Sequence, residues 1–261
     1  GGSPTRWWAV PLRSGKAWAS GVSYWSAGLR DDGNFTRYEE QVAYIDIANG
    51  GMPDASHLTM ARCHGGSYAS ENDTITNNSQ LDWNSGAGHW SRVWTQMRPG
   101  TWLVWAVNMY GEDRKTETER GGDSSILTEI KRGDWNRSFK NMGARILKNF
   151  TDSARNIKGH DLDRLLLRLN HENNQSNYYR IYDTTRVLYK EAMEVAIEQI
   201  RLGIGALGSK VKFMHAPAHG PGFGTYASWC PANIDCLAVS FHPDKLIDTT
   251  AKVSQYIRGT D

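Results

Sequence analysis

The segment Arg164-Leu165-Leu166-Leu167-Arg168-Leu169-Asn170-His171-Glu172-Asn173-Asn174 joins an apolar run to groups that can move protons and hold hydroxyls. Leu165, Leu166, Leu167 and Leu169 have the length and character of a buried parallel strand. A histidine, a carboxylate and three amides close the run, and none of them can continue a core. An exposed loop or a helix cap uses the same residue types, so context decides. In barrels of alternating strands and helices, the carboxyl ends of the strands face the active-site mouth. Glu172 is therefore the leading candidate for a catalytic acid. Burial beside apolar strand ends would raise its pKa into the range a proton donor needs.

Other polar and aromatic residues fall at the ends of strand-like segments. They are Trp25, Asn108 with Tyr110, His215 through His219, and His242 with Asp244. On one parallel sheet these groups would converge with His171, Glu172 and Asn173 on one rim. The eleven tryptophans and eleven tyrosines are many for 261 residues, and amphipathic rings outside a core often line binding clefts, where sugar rings stack on them. Trp25, Trp105, Tyr110 and Tyr178 are the expected cleft lining.

Several familiar signatures fail. Gly203-Ile204-Gly205-Ala206-Leu207-Gly208 spells a dinucleotide fingerprint, but it follows a helix and precedes a strand, the reverse of the order that phosphate binding requires. These glycines should end a helix and turn the chain. Arg13-Ser14-Gly15-Lys16 lacks the leading glycine of a phosphate loop, and neither a His-Glu-x-x-His helix nor a Gly-x-Ser-x-Gly elbow is present. His57 and His64 stand seven apart in a loop, a weak spacing for a shared metal, so no metal and no cofactor is expected. Cys63, Cys230 and Cys236 contain no Cys-x-x-Cys pair. Cys230 and Cys236 are read either as a small disulfide loop or as free buried thiols.

The elements that must carry these groups alternate. Strand-like segments lie at 20–25, 43–48, 101–109, 164–170, 211–215 and 235–241. Asp134 is placed to cap a helix bearing Trp135, Phe139, Met142, Ile146 and Leu147 on one stripe. A second helix is expected at about 184–202, with Leu188, Ala192, Val195, Ile197 and Ile200 facing inward. Residues 51–90 are polar and read as an elaborated loop after the second strand. The pattern predicts an α/β fold, a (β/α)8 TIM-barrel-like domain that is partial or incomplete, with six strand–helix units visible. A single domain over 1–261 is expected.

With 39% hydrophobic residues and a net charge of +2, the chain has material for a large core and lacks the basic excess of a nucleic-acid binder. No apolar run approaches the roughly 20 residues of a spanning helix, so neither nucleic acid nor membrane is an expected partner. The oligomeric state is left open.

The order Gly133-Asp134-Trp135, then Phe139 on a helix, then Arg168-Leu169-Asn170-His171-Glu172-Asn173-Asn174 resembles glycoside hydrolase family 26, the β-mannanase-type enzymes of a (β/α)8 clan. The segment 234–241 is similar to that family's Asp-x-x-x-Val-x-x-Asp-x-Tyr strand, and Ala216-Pro217 to its Trp-x-x-Pro strand end. The resemblance runs from about residue 21 to 257, and its specific part is the His-Glu segment. It implies an endo-acting, retaining enzyme in which Glu172 is the general acid/base, with His171 orienting it and contacting the sugar. Trp25, Trp105, Asn108, Tyr110, Arg168, Asn173, Tyr178, His219 and His242 would bind a polysaccharide or oligosaccharide. A secreted or periplasmic location follows, without a visible signal peptide.

A retaining glycosidase also needs a nucleophilic carboxylate about 5–5.5 Å from the acid. In the family this is a Glu on the seventh strand, and no residue here matches it. Tyr178-Tyr179-Arg180 replace the tryptophans that follow the family's His-Glu segment. An open six-stranded sheet would expose two edges, so completion by further chain is one expectation. The others are a shortened barrel with altered chemistry and a non-catalytic carbohydrate-binding protein. A polysaccharide lyase fits the altered chemistry, because β-elimination needs a base, an acid and a neutraliser of the uronate charge. His171, Tyr178, Asn173, Arg168 and His242 could supply these.

Overall fold

The computed structural model describes residues 21–23, 58–62, 102–107, 109, 124–151, 162–170, 186–217 and 228–238. Their backbone is an α/β arrangement. The strands are β1 (Gly21–Ser23), β2 (Leu58–Arg62), β3 (Trp102–Val107), β4 (Leu165–Leu169), β5 (Lys212–His215) and β6 (Cys236–Leu237). Between β3 and β4 lie helices α1 (Ser124–Arg132) and α2 (Asn136–Thr151), and α3 (Arg186–Ile204) joins β4 to β5. Every described strand pairing is parallel, and the spatial order is the sequence order, β1 through β6. No reversal of the doubly wound kind occurs among them.

Five of the six strands overlap those expected from apolar runs. The second does not. β2 is Leu58–Arg62, inside the stretch at 51–90 read as a loop. Of its Leu58, Thr59, Met60, Ala61 and Arg62, only Thr59 is a preferred strand former. Pairing to both neighbours, from Gly21↔Leu58 to Arg62↔Ala106, supplies what the local sequence lacks. The segment 43–48 lies outside the described residues.

Each helix is made by its buried stripe. Ile126, Leu127 and Ile130 of α1, Phe139, Met142 and Ile146 of α2, and Tyr189, Ala192, Met193, Ala196, Ile197, Ile200 and Ile204 of α3 join one core with Leu165, Leu167, Leu169 and Phe213. Each of the larger aliphatic or aromatic side chains contributes about 1.5–3 kcal/mol by leaving water. The α3 stripe is rotated from the expected one: Leu188 and Val195 are only half-buried, and Tyr189, Met193 and Ala196 take the interior. α1 had not been expected.

α1 ends in a Schellman turn. Gly133 has φ 97°, its amide donates to the Ile130 carbonyl at 3.0 Å, and the Asp134 amide donates to Glu129 at 3.1 Å. Asp134 does not cap α2 as expected. Its carboxylate accepts hydrogen bonds from the Arg132 guanidinium across the turn. On β4 the sheet face opposite the helices is also covered. Leu166 is fully buried and Arg168 is 5% exposed, yet neither belongs to the helix-side core. Alternation along β4 sends these two away from Leu165, Leu167 and Leu169.

Candidate functional site

The carboxyl end of β4 is built on a strand with no exposed residue, and Asn170 closes it at 1% exposure. Arg168 stands level with Ala106 of β3 and Met214 of β5. A buried guanidinium needs compensating polar partners, so Arg168 commits the sheet to a polar centre one residue pair below its rim. Asn170 has φ 51°, the left-handed region that asparagine tolerates better than most residues. Its Nδ2 donates to the Tyr189 hydroxyl of α3 at 3.2 Å.

Beside it, at the end of β5, His215 is completely buried. Its ring meets Trp229 edge-on at 5.3 Å and lies tilted to Tyr189 at 6.5 Å. Burial pushes its pKa down to about 3, so the imidazole is neutral at ordinary pH. His215 had been grouped with the rim. It is instead a core histidine beneath α3, set among apolar rings that exclude the water its cation would require.

A second polar knot fixes the next strand. Asp235 accepts from Arg201 Nη2 at 2.7 Å and from the Phe213 amide at 2.7 Å, while the Arg201 guanidinium lies 4.8 Å from the Phe213 ring centre. Glu194 Oε1 accepts from the Ala232 amide at 2.7 Å, and Asn233 Nδ2 donates to the Glu194 carbonyl at 2.8 Å. α3 is thereby tied to the chain entering β6. Cys230 and Cys236 are free thiols, so the disulfide alternative is excluded. The Cys236 thiol is pushed up to about 12, chiefly by burial, and it is inert as a nucleophile.

Of the residues expected to form the site, Arg168 is described with its surroundings, and Trp105 by its strand position, paired with Leu167. His171, Glu172, Asn173, Tyr178, Trp25, Asn108, Tyr110, His219 and His242 lie outside the described residues, as do Cys63, His57 and His64. Among the described residues no group of three or more His, Cys, Asp or Glu could hold a metal ion, and no helix is long and apolar enough to cross a membrane. Sequence reasoning missed Tyr189 and Trp229. The signal for Tyr189 was available, because it precedes Ala192, Met193 and Ala196 at helical spacing and carries a hydroxyl that burial obliges to find a partner.

No family model and no curated protein matches the sequence. Among solved structures, the chain is similar to a GH5-4 broad specificity endoglucanase from Clostridum cellulovorans, with 14% identity and a TM-score of 0.45. The similarity covers 86% of this chain and 59% of that one, so the chain spans less than two thirds of that protein's length. A likeness of this size carries no argument about chemistry. Membership of glycoside hydrolase family 26 is not confirmed.

Proposed function

We propose that the protein is a carbohydrate-active enzyme of (β/α)8-barrel type that cleaves glycosidic linkages in a polysaccharide, with Glu172 as general acid/base. One observation carries the reading. β4 is a parallel strand buried on both faces, and it ends in the strained, buried Asn170, which His171 and Glu172 follow directly in sequence. Strand ends of this kind hold the reacting groups of barrel enzymes.

The layers support the barrel reading. α1, α2 and α3 all pack on the face of Leu165, Leu167 and Leu169, yet Leu166 and Arg168 on the other face are buried too. A sheet whose strands run in sequence order, with its helices on one side, covers its second face by curling upon itself.

In this reading Glu172 protonates the departing oxygen and His171 orients it. Arg168, Asn173, Asn108, His219 and His242 bind sugar hydroxyls, and Trp25, Tyr110 and Tyr178 supply stacking surfaces; the register of Trp105 with Leu167 puts it on the helix-side face instead. The mechanism is endo-acting and retaining, which requires a second, nucleophilic carboxylate about 5–5.5 Å from that of Glu172. Polymers too large to enter a cell are cut outside it, so the enzyme acts in a secreted or periplasmic setting.

The test is a panel of neutral and acidic polysaccharides assayed for two products at once. Hydrolysis releases reducing ends without new ultraviolet absorbance. Unsaturated uronates would make the protein a lyase. Retention on a polysaccharide gel with neither product would make it a binding protein.

A further inference from the structure

We propose that Tyr189 is a positioning residue: its hydroxyl, through the Asn170 amide, fixes the backbone turn from which the chain runs into His171 and Glu172. The inference rests on the reading of Glu172 as proton donor and deepens it.

Tyr189 sits in the first turns of α3 and is fully buried. A buried phenol must hydrogen-bond, and this one accepts from Asn170 Nδ2 at 3.2 Å, across 19 residues of sequence. Asn170 is the one non-glycine residue with positive φ among the described residues. Left-handed backbone persists in an L-residue only where the surroundings impose it, and such residues gather at functional sites. The imposing group here is specific. Asn170 Oδ1 is buried and takes no hydrogen bond among the described residues, so the contact to Tyr189 is what orients the amide.

The support beneath is rigid. Tyr189 lies against His215, and His215 against Trp229, which locks the ends of β4 and β5 to α3 through three buried rings. Simple packing would need only the ring of Tyr189. The hydroxyl adds a directional hold on the residue two positions before Glu172.

Tyr189→Phe keeps the ring and deletes one oxygen. Asn170→Gly keeps access to the left-handed turn and deletes the amide, and it serves if the first variant does not fold. Val187→Ala, on an exposed site of the same helix, is the control. Each is assayed for thermal midpoint, for kcat and KM on the best polysaccharide of the panel, and for the carboxyl titration of Glu172 by carbon-13 NMR, assigned with E172Q.

For Tyr189→Phe and Asn170→Gly we expect kcat to fall about 10- to 100-fold with KM nearly unchanged, the effect of a misplaced reacting group. The Glu172 titration should move by more than about half a pH unit in both variants and stay fixed in the control. Unchanged kcat together with an unmoved titration would overturn the proposal, as would an equal shift in Val187→Ala. If the wild-type protein cleaves nothing, the hydrolase reading fails and the titration alone decides the coupling: a shift confined to the two variants supports it, and no shift ends it.

Discussion

His215 places the clearest demand on pH. Its folded pKa lies at about 3 against an ordinary 6.5, owing to burial. Between those values the unfolded chain binds the extra proton, so the stability held by the neutral ring is complete above about pH 6.5 and is lost as pH falls toward 3. The slope reaches about 1.4 kcal/mol per pH unit for one proton. Urea unfolding of the wild type and of His215→Gln, from about pH 4.5 to 7, should show a wild-type slope steeper by nearly one proton. Parallel slopes would mean that His215 is not buried neutral. The sequence offered this histidine as a rim group because a strand end is where both kinds of histidine occur. Trp229, the ring that seals it, is 14 residues away and arrives only with the fold.

At the scale of elements, α2 and α3 cross with their backbones in contact. A Cβ on Gly143 would lie 2.1 Å from the Ile200 carbonyl oxygen, and one on Gly203 would lie 2.0 Å from that of Lys140. Neither neighbour is a side chain that can swing aside. Gly143→Ala and Gly203→Ala should each lower stability by about 1–3 kcal/mol or more, as overpacking does. Gly205 is different: it has φ 75° and open space around its Cβ position. Gly205→Ala should cost only the left-handed strain, about 1–2 kcal/mol. Denaturant midpoints ranking Gly205→Ala as the most damaging of the three would contradict the crossing.

These glycines also mark what could be read beforehand. That a helix ends among Gly203, Gly205 and Gly208 was visible from their position after an apolar stripe, and α3 ends at Ile204, one residue past Gly203. The close approach at Gly203 was not visible, because its partner Lys140 lies in another helix. α1 was legible in principle from Ile126, Leu127 and Ile130, but a helix of nine residues makes a faint stripe. β2 was not legible, since its strand character comes from β1 and β3 on either side.

For the molecule as a whole, the parallel sheet was readable because the four leucines of β4 leave that strand no solvent face and apolar runs alternate with helical stripes along the chain. The burial of Leu166 and Arg168 on the second face was not, because it depends on partners outside the strand. Leu166 tests it. If that face is interior, Leu166→Asp should destabilise as severely as Leu167→Asp, since each buries a charge without a partner. Tolerance of Leu166→Asp alone would show an open sheet.

The functional claim concerns a single proton. The decisive measurement is turnover of Glu172→Gln on whichever polysaccharide the wild-type protein cleaves, with binding of the same polymer followed in parallel. Affinity should be retained while kcat drops at least about 10²-fold, the scale of a lost general acid. Wild-type turnover in that variant would remove Glu172 from the chemistry and the proposed activity with it.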